Sequence, residues 1–153
     1  MIKINVIVKD KTWFKFIKSP ESYLKRKIKV IQKDNFFKKK KYHFSILLSS
    51  SKEIKYLNKK FRKKNKTTDV LSFPFHKKNT LNSKLKKNKE VYLGDIIINL
   101  NKVKNKNNIE KFKLEFNKLW IHGLIHLFGH DHKKNKDFSE MQKIEKKFLS
   151  YLD

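Results

Sequence analysis

One run of the sequence, residues 120–132, constrains this chain more than any other, because it concentrates histidine and glycine. The whole chain has only six histidines and three glycines, and most of both lie in this run. His122 and His126 are four residues apart, and on an α-helix that spacing places both imidazoles on one face. Gly129 predicts the end of the helix, since glycine adopts the left-handed backbone without strain. A turn there would bring His132 back towards the helical pair.

The spacing H-x-x-x-H-x-x-G-x-x-H predicts a metal site. Three neutral imidazoles with an open fourth position are typical of a catalytic zinc centre, so we predict one Zn²⁺ held by His122, His126 and His132. The same spacing occurs in metzincin peptidases, which carry a glutamate directly after the first histidine as general base. Here that position is Gly123, so the metal ligands are kept while the peptidase base is missing. The alternative is a set of core or helix-end histidines with polar partners.

Two further residues of the run, His130 and Asp131, lie at the turn. His130 flanks the turn and is interpreted as a surface residue or an outer partner of the site, in preference to a fourth ligand. Asp131 would either orient a ligand imidazole through its second nitrogen or stabilise the turn, and the sequence does not separate these roles.

The formal net charge of +26 favours a polyanionic partner, most simply nucleic acid. Lysine and asparagine occur throughout and alanine is absent, which indicates coding bias from an AT-rich genome. Part of the charge therefore carries no functional information. The same bias makes exceptions conspicuous, because only Arg26 and Arg62 are arginines and only Pro20 and Pro74 are prolines.

The absence of cysteine excludes disulfides, cysteine-ligated zinc and thiol catalysis. The length of 153 residues predicts one domain, residues 1–153. The N-terminus has no secretory signal pattern, and no apolar run is long enough to span a bilayer. We therefore expect a soluble, cytoplasmic protein without a membrane partner.

Periodicity predicts an α+β fold with a single mixed sheet of about four strands and helices packed on it. Alternating or short apolar runs predict strands near residues 2–8, 42–48, 70–73 and 92–98. Start signals and apolar periodicity predict helices near residues 19–32, 50–62, 109–128 and 138–152. Ile54, Leu57 and Phe61 are expected to be buried, and residues 76–90 are expected to form a surface loop. The metal site would lie on a helix in the C-terminal half and on the turn that follows it.

The histidine run resembles the signature H-G-x-L-H-L-x-G-x-D-H of the YbeY family of metal-dependent endoribonucleases. Further blocks of the chain are similar to that family, and together they cover most of residues 54–152. They are residues 57–62, residues 68–74, residues 93–96, Glu115, Met141 and Glu145. All three glycines, Arg62 and Pro74 fall in these matched blocks.

The resemblance implies a zinc-dependent, single-strand-specific endoribonuclease of the bacterial cytoplasm. The family role is maturation of the 3′ end of 16S ribosomal RNA and quality control of ribosomes, so ribosomal RNA or ribosomal particles would be the partner. Carried over by position, His122, His126 and His132 would bind the metal, and Arg62 would be the functional arginine of the cleft.

Arg62 suits that role because its guanidinium can grip a phosphate with several donors and offset charge in the transition state. Lysine lacks this planar fork, so an arginine in a lysine-rich chain is informative. A structural salt bridge to Asp69 or Asp95 is the alternative. The sequence shows no clear general base, and the nucleophile is either water or the RNA's own 2′-hydroxyl.

Three other functions are alternatives. A zinc peptidase has the histidine spacing but lacks the glutamate. A non-catalytic ribosome-assembly factor would hold zinc only for stability, and the basic composition suits it equally well. A hydrolase of small phosphorylated substrates is not supported, because no glycine-rich phosphate loop is present.

Overall fold

The computed structural model describes residues 1–38, 40–131 and 135–153. Its strands are β1 (Ile2–Val8), β2 (Lys41–Ser49), β3 (Val70–Pro74) and β4 (Glu90–Asn99). Its helices are α1 (Pro20–Ile31), α2 (Ser51–Arg62), α3 (Lys78–Lys87), α4 (Ile109–Leu127) and α5 (Asn135–Leu152). Short 3₁₀ segments lie at Lys11–Lys15, Asn35–Phe37 and Leu100–Lys102. Across these described ranges, no helix is both long enough and apolar enough to cross a membrane.

The four strands form one mixed sheet, so the predicted fold class is confirmed. The strand order is β1-β2-β4-β3, in which β1, β2 and β4 run parallel and β3 runs antiparallel to β4. The edge strand β3 ends at Pro74. Proline has no N–H to donate to a ladder, so within sheets it is found mainly on edge strands. A register shift between His43 and Phe44 accompanies the pairing of β2 with β4.

The sheet separates two apolar clusters. The larger one packs α1, α4 and α5 on one face, and its fully buried rings include Trp13, Phe112 and Trp120. On the other face, Ile54 of α2 packs against Leu71 and Ile97. This follows from the period of two along a strand, since successive side chains of β3 and β4 point to opposite faces.

Two expectations about local structure are wrong. The segment predicted as a surface loop contains α3, whose Leu81 is buried and whose Leu85 is partly buried. Only these two side chains, one helical turn apart, anchor a helix of lysine and polar residues, so its apolar pattern is too sparse to detect. Phe61 is predicted to lie in the core, but its side chain is 60% exposed at the end of α2.

Asp34 fastens α5 to the loop that follows α1. Its carboxylate accepts hydrogen bonds from Lys147 Nζ at 2.7 Å, from Tyr151 Oη at 2.9 Å and from the Phe36 amide at 2.8 Å. Burial by itself would raise the pKa of Asp34, but these donors outweigh it and hold the pKa below its usual value. A carboxyl group whose pKa is lower in the folded state stabilises the protein at pH values above its unfolded-state pKa. That contribution is lost as the pH falls through the folded-state pKa.

We therefore expect Asp34→Asn to lower the free energy of unfolding at neutral pH. The difference from the wild type should shrink as the pH falls below about 4. Denaturant unfolding at a series of pH values measures it. Glu90→Gln is the matched control, because Glu90 forms an exposed pair with Lys3 at 3.9 Å, and its effect should stay below about 0.5 kcal/mol. A difference for Asp34→Asn that does not change with pH would contradict the explanation.

Candidate metal centre

The centre is built on α4, the helix that crosses the core face of the sheet. Asn108 caps its start, since the side chain accepts a hydrogen bond from the Lys111 amide at 3.1 Å. Phe116 and Trp120 are fully buried and mark the side of the helix that faces the core. His122 and His126 therefore project together from its partly exposed side, as their spacing predicts.

The two imidazoles converge on one point. The Nε2 atoms of His122 and His126 lie 3.0 Å apart. The outer nitrogens of both rings are held by other groups, because His122 Nδ1 lies 2.5 Å from Glu145 Oε1 and His126 Nδ1 lies 2.7 Å from the His130 carbonyl oxygen. A carbonyl or carboxylate oxygen can only accept, so each Nδ1 carries the proton and each Nε2 presents a lone pair.

Two ring nitrogens that face each other at this distance share either a proton or a metal cation. Holding the outer N–H of a histidine with a carboxylate or a carbonyl is how proteins orient metal-binding imidazoles. The donor chemistry of His122 and His126 therefore fits a zinc ion. The third predicted ligand, His132, lies outside the described residues. Among the residues that are described, no three histidine or acidic side chains come together as a metal site.

The turn after α4 has the predicted form. Gly129 has a φ of +89°, in the left-handed region, and its amide donates to the His126 carbonyl at 2.9 Å. His130 follows directly, and it contributes to the centre through its backbone carbonyl. Burial, followed by the nearby charge of Lys78, lowers the pKa of the His130 side chain. The role of the His130 side chain, as a surface residue or an outer partner of the site, stays a prediction.

Arg62 lies where α2 meets the edge strand β3. Its Nη2 donates to the Ser72 carbonyl oxygen at 2.8 Å, and its guanidinium lies 5.6 Å from the centre of the Phe73 ring. Within the described part of the chain, Arg62 forms no ion pair with Asp69 or Asp95, the two partners that the sequence offers. The guanidinium is thus positioned by one carbonyl and one ring, not by a carboxylate.

Ser72 connects that arginine to the metal helix. Its carbonyl accepts from Arg62, while its hydroxyl donates to the Gly123 carbonyl at 3.1 Å. Gly123 directly follows His122 in the chain. Arg62 and the histidine pair therefore flank the same edge of the sheet, with a single strand residue between them.

Gly123 faces the sheet and not the histidine pair. A Cβ atom at this position would lie 2.7 Å from Ile96 Cγ2 and 3.1 Å from Ser72 Oγ. Glycine is needed here because the helix backbone packs directly on the strands. A glutamate would neither fit nor reach the imidazoles, so the general base of the peptidases has no equivalent at this position.

Sequence reasoning missed the role of Glu145. This residue comes from α5, 23 positions after the histidine that it orients, and no local spacing connects the two. The only signal in the sequence is its match to the terminal helix of the resembling family. Glu115, the acid that precedes the first histidine, instead pairs with Lys118 at 3.0 Å.

Comparison with known proteins decides the family. A family profile described as "Endoribonuclease YbeY" matches residues 8–153, nearly the whole chain. This chain belongs to the YbeY family of endoribonucleases. The resemblance noted from the histidine run is thereby confirmed, and the matched YbeY region includes α4, α5, Arg62 and Glu145.

Individual YbeY relatives agree over the full length. The protein named endoribonuclease YbeY of Pelagibacter ubique (strain HTCC1062) is 46% identical over 155 residues, covering 99% of this chain and 97% of that protein. The endoribonuclease YbeY of Ehrlichia canis (strain Jake) is 36% identical, with coverages of 99% and 93%. The solution structure of TM1509 from Thermotoga maritima is 29% identical and superposes with a TM-score of 0.57, covering 99% of this chain and 88% of that one.

Proposed function

We propose that this YbeY-family chain is a zinc-dependent endoribonuclease that cleaves single-stranded RNA. The observation that carries the proposal is the histidine pair, whose Nε2 atoms face each other at 3.0 Å while both Nδ1 atoms are held from outside. His122, His126 and His132 would hold the ion. The chemistry that zinc supplies when bound is polarisation of a phosphoryl oxygen and a lowered pKa of water, towards about 7.

The protein's own groups prepare that site. Glu145 and the His130 carbonyl fix the tautomers of His122 and His126, so that their Nε2 lone pairs point inward. Arg62 donates one N–H to the Ser72 carbonyl, and its guanidinium packs on the Phe73 ring. Its other N–H donors would bind the scissile phosphate. These donors would offset the charge that builds up on the phosphoryl oxygens.

The nucleophile is identified by the ends of the product. Attack by water yields no cyclic product, whereas attack by the 2′-hydroxyl of the RNA first gives a 2′,3′-cyclic phosphate. Mass analysis of a short cleaved oligonucleotide separates these routes. The net charge of +26 supports binding of the RNA backbone, and binding should weaken steeply as salt is added.

Within that activity we propose ribosomal RNA as the substrate, in maturation of the 3′ end of 16S ribosomal RNA and in ribosome quality control. Support comes from membership of the YbeY family and from the basic composition. The test is cleavage of a transcript that carries the unprocessed 3′ end of 16S ribosomal RNA, with the product ends mapped. Cuts scattered equally over unrelated single strands would argue against this substrate. The cytoplasmic location remains a prediction.

Replacing Arg62 tests the proposed activity while leaving the metal ligands in place. We expect Arg62→Ala to retain zinc but to cleave single-stranded RNA about 10²–10³-fold more slowly, because a donor to the developing charge is lost. Arg62→Lys should recover only part of the rate. Arg26→Ala is the matched control, since Arg26 is the other arginine and lies exposed on α1.

A matched duplex of the same sequence completes that experiment and should remain uncut. Equal cutting by the wild type, Arg62→Ala and Arg26→Ala would identify a contaminating nuclease. If pure wild type held zinc and cut no RNA, the non-catalytic assembly factor would become the better explanation.

Removing the carboxylate that orients His122 should weaken the metal site. We expect Glu145→Gln to bind zinc about 10–100-fold more weakly, the usual cost of losing an outer hydrogen-bond partner. Competition with a chromophoric chelator measures the affinity. Glu110→Gln, a replacement of an exposed carboxylate in the first turn of α4, should leave it unchanged. Unchanged affinity in Glu145→Gln would show that Glu145 only packs α5 against α4.

A further inference from the structure

The sheet face opposite α4 carries several aromatic rings, one of which, Phe73, supports Arg62. We call it the aromatic face, and define it by His43, Phe61, Phe73, Phe75 and Tyr92. The rings form two groups. Tyr92 contacts His43 and Phe75 at centroid separations of 5.4 and 5.5 Å, and Phe61 contacts Phe73 at 5.6 Å. The rings come from α2, β2, β3, β4 and the residue that follows β3.

Parts of this face are exposed to an unusual degree. Phe75 is 67% exposed and Phe61 is 60% exposed, the two highest values among the exposed large hydrophobic side chains of the described chain. A single exposed ring is ordinary on a protein surface, but several apolar rings on one face indicate a binding site. The aromatic face is therefore a candidate interaction surface.

A groove of about 460 Å³ between α2 and the sheet continues the aromatic face. Its apolar lining consists of Leu47, Leu57, Phe61, Phe73 and Ile97. Lys9 and two carboxylates, Glu53 and Asp95, also line the groove. Asp95 accepts a hydrogen bond from the Tyr92 hydroxyl at 2.6 Å. The apolar part of this lining and its two carboxylates suit a nucleobase, whose faces are apolar and whose amino groups donate to carboxylates.

Two cationic side chains, Arg62 and Lys60, lie at the border of the aromatic face. The Arg62 guanidinium lies over Phe73, and Lys60 Nζ lies 5.4 Å from the centre of the Phe61 ring. Ser72 connects the border of this face to the metal helix, because it bonds both to Arg62 and to Gly123. Rings that offer a surface for stacking, bordered by cations that can hold phosphates, are the combination with which proteins bind single-stranded nucleic acid.

We propose that the aromatic face and its groove bind the unpaired bases of the RNA strand whose phosphate is held at Arg62. Bases beside the scissile bond stack on Phe61, Phe73 and Phe75, while the cations hold the backbone. Bases in a duplex are already paired and stacked, so this surface selects single strands. The link to a scissile phosphate rests on the proposed function, but the binding itself does not require cleavage.

Binding is measured in a His126→Ala background, in which the RNA should stay intact, by fluorescence anisotropy of a labelled single strand. We expect Phe61→Leu and Phe75→Leu each to weaken binding about fivefold or more, because a stacking surface is lost. The slope of log affinity against log salt should not change, since no phosphate contact is removed. Arg62→Ala should instead reduce that slope by about 1.

Two controls separate stacking from general damage. Phe14→Leu removes a ring that is 44% exposed on the 3₁₀ segment Lys11–Lys15, outside the groove, and should bind as the parent does. An abasic strand should bind Phe61→Leu, Phe75→Leu and the parent equally. Exposed leucines at both positions should leave the thermal unfolding midpoint unchanged.

Three results would overturn the proposal. The first is parent-like affinity in both phenylalanine variants. The second is an equal loss of affinity for the intact strand and the abasic strand. The third is a change in oligomeric state by light scattering with RNA affinity unaltered, which would identify the face as a contact between copies of the chain. Cleavage by the wild type is scored separately, so a failed stacking surface and a failed ribonuclease give different results.

Discussion

Gly94→Ala is expected to lower the free energy of unfolding by about 3 kcal/mol or more, because the added methyl group combines backbone strain with a steric clash. Gly94 has a φ of +137°, which residues with a side chain rarely adopt. An added Cβ would overlap the Phe73 carbonyl oxygen and lie 2.9 Å from the Phe75 amide nitrogen. Both are backbone atoms of the neighbouring strand segment, so relief requires β3 to move away from β4.

Denaturant unfolding of Gly94→Ala measures this cost, with Gly129→Ala as the comparison. Gly129 also has a positive φ, but its Cβ would meet Lys78 Cβ and Cγ at 3.0 Å, a tight contact and not an overlap with backbone atoms. We expect Gly129→Ala to cost only about 1–2 kcal/mol, the penalty of the left-handed backbone. If the two variants were equally stable, the close approach of strands at Gly94 would not be the governing constraint.

His126→Ala is expected to remove bound zinc and RNA cleavage together. Its Nε2 is one of two lone pairs that converge at 3.0 Å, so its loss dismantles the donor set. The reduction in zinc affinity should exceed about 100-fold, the upper limit expected for losing an outer partner such as Glu145. Metal content of the purified variant and its rate of cleavage are the two readouts.

His130→Ala is the matched control, because it removes an imidazole from the same turn. His130 holds the His126 ring through its backbone carbonyl, which the substitution leaves intact. We therefore expect His130→Ala to retain zinc and most of its activity. Loss of zinc as complete as in His126→Ala would identify His130 as a ligand and would revise the site.

The sequence predicted those parts of the molecule that depend on local regularity. Strand alternation and helix start signals located the mixed sheet and the long helices, since burying one face imposes a period on the side chains. The pairing of His122 with His126 followed from helical spacing alone. The turn at Gly129 followed from the conformational freedom of glycine.

The parts that escaped prediction depend on contacts between distant segments. Glu145 orients His122 from another helix, and the Ser72 carbonyl positions Arg62 across a strand edge. Neither contact leaves a local pattern in the sequence. Phe61 shows the opposite failure, because its position on the apolar side of α2 predicted burial while the sheet beneath it leaves an open groove.

A zinc titration of chelator-treated wild-type protein tests most directly whether this chain is a zinc-dependent ribonuclease. Single-stranded RNA cleavage and bound zinc are measured at each step, with Arg62→Ala treated in parallel. We predict that the cleavage rate rises in proportion to bound zinc and saturates at one ion per chain, while Arg62→Ala binds the same ion and remains slow. Cleavage that persists undiminished without zinc, or its absence at full occupancy, would contradict zinc-dependent cleavage.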